Sequence, residues 1–283
     1  MKKNVFVAML MMIVLSALFL SSCDSLSVTE EQSINFKIGQ ERSLNVKTKN
    51  GSINVNGWDK DYISIEAIKK VSGVAGEDEL RKLLDQVEII TIANGVNASV
   101  IVEFPDEING FFNGGFSFGA SLDMYVPNQF KNSDLKSSNG RIEINDIDSN
   151  IYADTSNGRI RLYNVSGNIS LDTSNGSVDL DRVVFKDGRN VVDTSNGNIS
   201  GDFTLPENGS VDFDTSNGRI DVEIPSDSKA NLDADTSNGN ININGIMMNI
   251  THESKSDMSA DLNGGGIYFR LKSSNGNISV TGR

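Results

Sequence analysis

One five-residue sequence, Asp-Thr-Ser-Asn-Gly, recurs along this chain and constrains its fold more than any other feature. It begins at positions 154, 172, 193, 214 and 235, and the near-copy Lys-Ser-Ser-Asn-Gly begins at 136 and 272. The asparagines of these seven copies are 18, 18, 21, 21, 21 and 37 residues apart. A fixed period of about 20 residues is the signature of a repeat architecture rather than of a single globular core.

Apolar and polar residues alternate on both sides of each copy. Three residues after the asparagine stand Ile142, Ile160, Val178, Ile199, Ile220, Ile241 and Ile278. Four residues before it stand Leu135, Ala153, Leu171, Val192, Phe213, Ala234 and Leu271. This period of two is that of strands with one buried face. Each repeat therefore predicts two short strands joined at a corner, where a glycine with positive φ lets the chain turn.

Two architectures fit this pattern: an antiparallel meander of Asn-Gly hairpins and a β-solenoid. A hairpin has no reason to repeat Asp, Thr and Ser ahead of Asn-Gly. In a solenoid, equivalent residues lie about 4.8 Å apart, so repeated Thr and Asn can form hydrogen-bonded ladders. We therefore predict an all-β fold, a single-stranded β-solenoid or β-helix with coils of about 18–21 residues, each stacked on the coil before it.

The repeat also occurs once near the start, because Asn50-Gly51 has the same apolar pattern around it. Residues 33–132 are predicted to form this first coil and an N-terminal, mostly-β cap over the open end of the stack. The helical spacing of Leu80, Leu83 and Leu84 predicts one short helix within the cap. Residues 133–283 are predicted to form the solenoid repeats, with an insertion at about 244–268.

The first 22 residues have the pattern of a secretory signal peptide. Lys2 and Lys3 precede an apolar run that ends in Leu20-Ser21-Ser22-Cys23. This ending resembles the bacterial lipobox, and the resemblance implies that Cys23 receives a diacylglycerol. An ordinary signal peptide with an incidental cysteine is the alternative. We predict a lipoprotein signal peptide at 1–22 and an anchor and linker at 23–32.

Charge and cysteine content exclude several classes of partner. Cys23 is the only cysteine, so the mature chain has no internal disulfide and no other thiol. Removing Lys2 and Lys3 leaves 23 basic and 38 acidic residues, a net charge of −15. Such a surface repels nucleic acid and anionic lipid. We therefore expect no nucleic acid partner, membrane attachment through the lipid anchor, and an extracytoplasmic location.

The chain resembles the bacterial "putative adhesin" β-repeat family of secreted or membrane-attached proteins. The resemblance rests on "NVKTKNGSINVNGW", on "LDMYVPNQF" and on the serial "TSNG" corners, and it covers roughly residues 33–283. It implies a β-helical or β-solenoid exterior protein without an established activity. The family has no catalytic residues to transfer to this chain.

The repeated aspartates form a candidate cation-binding ridge. They are expected to occupy one place in successive coils: Asp154, Asp172, Asp193, Asp214 and Asp235. Ca²⁺ prefers oxygen ligands, but the spacing lacks the pattern of calcium-binding β-rolls. Arg141, Arg159 and Arg219 are expected to neutralise neighbouring carboxylates. A solvated acidic ridge without a metal is the alternative, and we expect no cofactor.

A phenylalanine-rich segment, "NGFFNGGFSFGAS", is the most unusual local sequence. Its rings belong to Phe111, Phe112, Phe116 and Phe118. Exposed, they would form an apolar patch suited to a partner or a membrane; packed, they would complete the core of the cap. The sequence leaves both possibilities open.

These patterns favour a non-enzymatic role. His252 is the only histidine, which excludes a multi-histidine metal site within one chain. We expect a lipid-anchored, adhesin-like envelope binding module for an unidentified protein or glycan. One alternative is a regulatory or stress-responsive envelope lipoprotein acting through a membrane partner. The other is a polysaccharide-active β-helix enzyme that uses a pair of carboxylates.

Overall fold

A computed structural model describes residues 25–39, 42–105 and 115–283 of the chain. The elements of the N-terminal part are β1 (Leu26–Lys37), β2 (Ser43–Lys47), β3 (Ile53–Trp58), β4 (Tyr62–Gly73), α1 (Glu77–Leu84), β5 (Glu88–Asn94), β6 (Asn97–Glu103) and β7 (Ser117–Pro127).

The central strands are β8 (Gln129–Ser137), β9 (Ile142–Asn145), β10 (Asp148–Thr155), β11 (Ile160–Tyr163), β12 (Ser166–Gly167), β13 (Ile169–Thr173), β14 (Val178–Phe185), β15 (Gly188–Thr194), β16 (Ile199–Thr204), β17 (Gly209–Thr215) and β18 (Ile220–Ile224). The C-terminal strands are β19 (Ala230–Thr236), β20 (Ile241–Asn244), β21 (Met248–Glu253), β22 (Asp257–Leu262), β23 (Ile267–Ser273) and β24 (Ile278–Gly282).

The repeats form two parallel stacks of strands, which confirms the predicted β-solenoid. The strands before the corners form the first flank, in the spatial order β2, β8, β10, β13, β15, β17, β23 and β19. The strands after the corners form the second flank, in the order β3, β9, β11, β14, β16, β18, β24 and β20. Both sets are parallel and in register, so one coil repeats the contacts of the next.

The core lies between the two flanks and consists of in-register apolar ladders. The ladder three residues after the corner asparagine runs Ile53, Ile142, Ile160, Val178, Ile199, Ile220 and Ile278, each fully buried. Larger rings fill the C-terminal half, where Phe203 packs edge-on against Phe185 and Phe213 at centroid distances of 5.2 and 5.3 Å. Burying such side chains contributes about 1.5–3 kcal/mol each.

An asparagine ladder connects the corners along the whole stack. Each Nδ2 donates to the Oδ1 of the neighbouring coil over 2.6–2.9 Å, in the order Asn238, Asn275, Asn217, Asn196, Asn175, Asn157, Asn139 and Asn50. The repeated threonines form a second ladder of a different kind. Thr194 Oγ1 is buried and donates to the carbonyl oxygen of Gly176 in the preceding coil over 2.8 Å, rather than to another threonine.

The corner glycines are required by close packing, which corrects the expectation that they supply a positive φ. Of the described corner glycines, only Gly51 has a positive φ, of +145°. A Cβ at Gly176 would instead lie 1.8 Å from the carbonyl oxygen of Gly158, and a Cβ at Gly158 would lie 2.0 Å from that of Gly140. The coils therefore approach too closely at this corner for any side chain.

The stacking order departs from the chain order at the C-terminal end. The last coil in sequence, β23–β24, pairs with β17–β18 on one side and with β19–β20 on the other. The prediction that every coil stacks on the coil before it is therefore wrong here. The predicted insertion explains the difference, because β21 and β22 form an antiparallel hairpin that extends the first flank beyond β19 and lets the chain return.

The N-terminal end is closed in a similar way. The first coil, β2–β3, lies between β8–β9 and the outer strands β6 and β7. Antiparallel strands then cover the edge: β4 pairs with β7, β1 pairs with β4, and β5 pairs with β6. Helix α1 buries Leu80, Leu83 and Leu84. Residues 26–32, predicted as part of a linker, are the first half of β1 and pair with β4.

The close approach at the corners predicts a large effect of one methyl group. Gly176→Ala places a Cβ against the Gly158 backbone, so we expect unfolding to become easier by about 3 kcal/mol, the upper end of ordinary overpacking. Urea denaturation followed by circular dichroism measures the change. Gly115→Ala is the control, because a Cβ there meets no atom within 4 Å. Equal urea midpoints for the two variants would contradict the packing argument.

Candidate functional site

A ladder of four carboxylates runs along the outer face of the first flank. Asp154, Asp172, Asp193 and Asp214 are direct register partners in four consecutive strands. Neighbouring parallel strands lie about 4.8 Å apart, so each carboxylate has a like charge beside it. We refer to these four residues as the carboxylate ladder.

Lysines end the carboxylate ladder on both sides. Lys136 is the partner of Asp154, and Lys272 is the partner of Asp214. The predicted ridge of five aspartates is therefore wrong in one member. Asp235 lies on the far side of Lys272, because the last coil of the chain is placed between the two aspartates.

The inner carboxylates of the ladder hold their protons more tightly than an ordinary aspartate. Burial raises the pKa of Asp172, and the charge of Asp154 raises it further. Burial likewise raises the pKa of Asp193, with added contributions from Asp214 and Asp172. The ladder therefore stores electrostatic repulsion at neutral pH.

The carboxylate ladder does not form a coordination cage. Among the residues that the structure describes, no three His, Cys, Asp or Glu side chains are arranged to hold a metal ion. Two of the three arginines expected beside the ridge pair elsewhere: Arg159 Nε lies 3.0 Å from Asp179 Oδ2, and Arg141 Nε lies 3.4 Å from Glu143 Oε1. Both carboxylate partners belong to the second flank.

A cluster of aromatic and amide side chains lies on the second flank near the cap. We define the aromatic–amide patch as Trp58, Tyr62, Tyr125, Asn54, Asn56, Asn145 and Asp123. The Trp58 ring contacts those of Tyr62 and Tyr125 at centroid distances of 4.7 and 5.5 Å. Its indole N–H donates to the Tyr62 carbonyl oxygen over 2.9 Å, and Tyr125 is 40% exposed.

The polar members of the patch hold one another in fixed orientations. Asp123 Oδ1 accepts hydrogen bonds from Nδ2 of Asn54 and of Asn56, over 3.1 and 3.0 Å. Asn145 Nδ2 donates to Oδ1 of the same two asparagines, over 3.2 and 3.0 Å. The ammonium of Lys60 lies 4.4 Å from the centroid of the Trp58 ring. These contacts pre-organise the patch before any ligand binds.

The sequence pattern does not predict this patch. Four of its members lie within residues 54–62, and the other three meet them because β3 pairs in parallel with β7 and β9, with Asn56 opposite both Tyr125 and Asn145. The single tryptophan of the chain was an available signal. A lone tryptophan gives no indication of which residues surround it.

A polar groove of about 240 Å³ adjoins this patch, since Asn128 in its lining donates its backbone N–H to the Trp58 carbonyl oxygen over 3.0 Å. Asp146, Asn164 and Arg182 border it, and each has a positive φ between 51° and 58°. The Asn164 amide donates to Asp146 Oδ1 over 2.6 Å. Lys186 forms an ion pair with Asp148 at the rim. Arg182 Nε lies 3.6 Å from Asp181 Oδ1, so each of these side chains already has a polar partner.

The other described residues singled out from the sequence are not part of the aromatic–amide patch. Phe116 and Phe118 are half-buried against the core, whereas Phe111, Phe112 and Cys23 lie outside the described residues. His252 is exposed on β21, with Nε2 3.7 Å from Asp257 Oδ2. No helix in the described ranges is long and apolar enough to cross a membrane.

The raised pKa values predict that charge removal within the ladder stabilises the fold. When the pKa of a carboxyl is higher in the folded than in the unfolded state, the stability of the fold falls as the pH rises from the unfolded-state pKa through the folded-state pKa. Asp193→Asn should therefore raise the urea midpoint at pH 7, and the gain should shrink at pH values below the ordinary pKa of aspartate. Asp187→Asn is the control with the opposite sign, because hydrogen bonds from Asn208 lower the pKa of Asp187. A lower midpoint for Asp193→Asn at pH 7 would contradict the repulsion.

Solved structures that are similar to this chain share little sequence with it. One, titled a "putative adhesin" from Parabacteroides distasonis, is 12% identical, with 88% of this chain and 96% of that chain covered and a TM-score of 0.42. A "putative adhesin" from Bacteroides fragilis is 10% identical, with 89% and 97% covered and a TM-score of 0.38. A "putative cell adhesion protein" from Clostridium sporogenes is 12% identical, with 89% and 100% covered and a TM-score of 0.36.

No curated protein matches the chain. A family model does, and it spans nearly the whole sequence, in agreement with the resemblance found from the corner motifs. Because the model described as Toastrack DUF4097 matches residues 3–281, the chain belongs to the Toastrack DUF4097 family.

Proposed function

We propose that this protein is an extracytoplasmic lipoprotein, anchored through Cys23, whose solenoid is a non-catalytic, adhesin-like module that binds glycans. The anchor is supported by Lys2, Lys3 and the apolar run that leads to Leu20-Ser21-Ser22-Cys23. Several acyl chains on one residue hold a protein on a membrane, since each buried methylene contributes about 0.8 kcal/mol. The acidic mature chain has no comparable attraction to anionic lipid.

The aromatic–amide patch is the observation that carries the binding function. Tryptophan and tyrosine are enriched at recognition surfaces because they provide large apolar area together with a polar group. Beside the rings, Asn54, Asn56 and Asp123 provide amide and carboxylate oxygens and amide donors in fixed positions. A sugar ring presents C–H groups on its faces and hydroxyl groups on its rim. The patch matches both of these surfaces.

The parallel flanks suit binding to a polymer. Their outward side chains repeat at the strand spacing of about 4.8 Å, and ladder hydrogen bonds fix the corners of every coil. A ligand bound at the patch therefore meets further ordered polar groups along the second flank, such as Tyr163, Arg161 and Asp179. Several weak contacts on one rigid support add to a useful avidity.

Tyr125→Ala tests the binding function. It removes the most exposed ring of the patch, so we expect affinity for glycans to fall by about tenfold or more, equivalent to at least about 1.4 kcal/mol. Binding of the purified protein to a panel of bacterial and host polysaccharides gives the measurement. Tyr152→Ala is the matched control, because Tyr152 is 39% exposed but lies on the first flank.

Three results would contradict this proposal. Equal affinities for the two variants would show that the patch is not the binding surface. Binding to purified matrix proteins without any glycan binding would replace glycans by proteins as the ligand class. Release of shortened products from a bound polysaccharide would show that the module is catalytic.

Cys23→Ala tests the anchor. The chain should lose its acyl groups and leave the membrane fraction, while the circular dichroism of the folded protein stays unchanged because Cys23 precedes the first strand, β1. Incorporation of labelled fatty acid and flotation with membranes measure the two losses. Ser22→Ala retains the cysteine and should behave as the unmodified sequence. A Cys23→Ala protein that still floats with membranes would show the anchor to be wrong.

A further inference from the structure

The described strand ends at one edge of the cap carry no charge, although charged residues make up 22% of the chain. Three strand ends meet there: the start of β1, the end of β4 and the start of β7. Leu26 is the register partner of Gly73, and Ser72 is the partner of Ser117. The segments 25–28, 71–76 and 115–118 contain no Asp, Glu, Lys or Arg. Lys70, opposite Thr29 and Gly119, is the first charged residue of β4 before this edge.

Apolar residues lie along this edge, and one of them is largely exposed. We define the neutral edge as Leu26, Gly73, Val74, Ala75, Phe116 and Phe118. Val74 is 80% exposed, and Leu26, Ala75, Phe116 and Phe118 are half-buried against the core. The Phe116 ring lies across the Gly73 backbone, since a Cβ at Gly73 would be 2.4 Å from Phe116 Cδ1. Because Gly73 has no side chain, the Phe116 ring can pack over the ends of the strands.

Only a short stretch of chain separates the predicted lipidation site, Cys23, from the neutral edge. Three peptide units separate Cys23 from Leu26, and an extended chain spans at most about 3.6 Å per residue, so Leu26 lies within about 11 Å of Cys23. The headgroup layer on each side of a bilayer is about 5–8 Å thick. An acylated Cys23 thus holds the start of β1 at the membrane surface.

We infer that the neutral edge is a membrane-contact surface that lies in the headgroup layer of the bilayer holding the lipid anchor. This inference rests on the proposed acylation of Cys23. The absence of charge from the three segments fits this position, because moving a charged side chain out of water is costly whereas moving Val74 or Phe116 is favourable. The first turn of α1 follows directly and is acidic, with Glu77, Asp78 and Glu79. The matching surface is therefore zwitterionic lipid rather than anionic lipid.

The position of the aromatic–amide patch agrees with this orientation. Strand β4 runs from Tyr62, in the patch, to Gly73, in the neutral edge. Its 12 residues span about 36 Å at the usual rise of 3.3 Å per residue. The two surfaces thus lie at opposite ends of one strand, and the ligand-binding end is the one farther from the bilayer.

Fluorescent probes on single cysteines test the inference in the full lipoprotein. Acylation blocks Cys23, the only native cysteine, so each introduced cysteine is the single reactive thiol. Val74→Cys places the probe on the neutral edge, and Tyr125→Cys places it in the aromatic–amide patch. Val184→Cys is the matched control, because Val184 is 43% exposed in the middle of the solenoid. The acylated proteins are reconstituted into phosphatidylcholine vesicles.

We expect a blue-shifted emission at position 74 and several-fold stronger quenching by nitroxide-labelled lipid than at positions 125 and 184. If the probe at position 74 emits as it does in water although the protein is acylated and floats with the vesicles, the membrane contact is overturned but the anchor is not. Quenching at position 125 equal to that at 74 overturns the orientation. Protein that neither incorporates fatty acid nor floats refutes the proposed anchor, and the inference fails with it.

Discussion

The contact between successive corner glycines determines the geometry of the whole solenoid. The backbone of one corner lies so close to the next that a single Cβ at Gly176 would approach a carbonyl oxygen to 1.8 Å. This approach brings the asparagine amides within hydrogen-bonding distance and places the Thr194 hydroxyl on the Gly176 carbonyl. The apolar ladders of the core then follow in register. Side chains on both flanks repeat at the spacing that the corners impose.

Features that belong to one coil could be predicted from the sequence, whereas the order of coils could not. Alternation around the corner places Ile160 and Val178 inside because the period of two is a local property. Every coil, however, offers the same backbone groups and similar ladders to its neighbours. Nothing in the spacing indicates that β23 pairs with both β17 and β19. That interchange is the reason why Lys272 separates Asp214 from Asp235.

The same distinction between local features and long-range pairing applies to the candidate sites. The carboxylate ladder was visible in the sequence because its members hold one position of the repeat. The aromatic–amide patch was not, because it depends on a parallel pairing between β3 and β7 across more than sixty residues and on the turn from Trp58 to Tyr62. The cap breaks the repeat, so periodicity gives no information about which of its residues become neighbours. The proposed recognition surface thus lies in the least regular part of the Toastrack chain.

The first and the last coil in sequence are each paired on both sides, so neither is a free end of the stack. The first coil lies between the cap strands and β8–β9, and the last coil lies between β17–β18 and β19–β20. A coil at the free end of a solenoid pairs on one side only and is the first to open. Here, β1 and β20 are the outermost strands of the second flank, and each pairs on one side only. Antiparallel strands β5 and β21 cover two of the remaining edges.

For the proposed lipoprotein, the start of β1 also determines how firmly the aromatic–amide patch is held relative to the membrane. If residues 23–32 were a flexible linker, ten residues would have a root-mean-square length of about 17 Å, and the cap could turn freely at the end of it. Instead, β1 begins at Leu26 and pairs with β4 along all of its 12 residues. The free tether is thereby reduced to a few residues. Because β4 is itself paired on its other side with β7, the aromatic–amide patch is connected to the start of β1 by stiff, doubly paired sheet rather than by a linker.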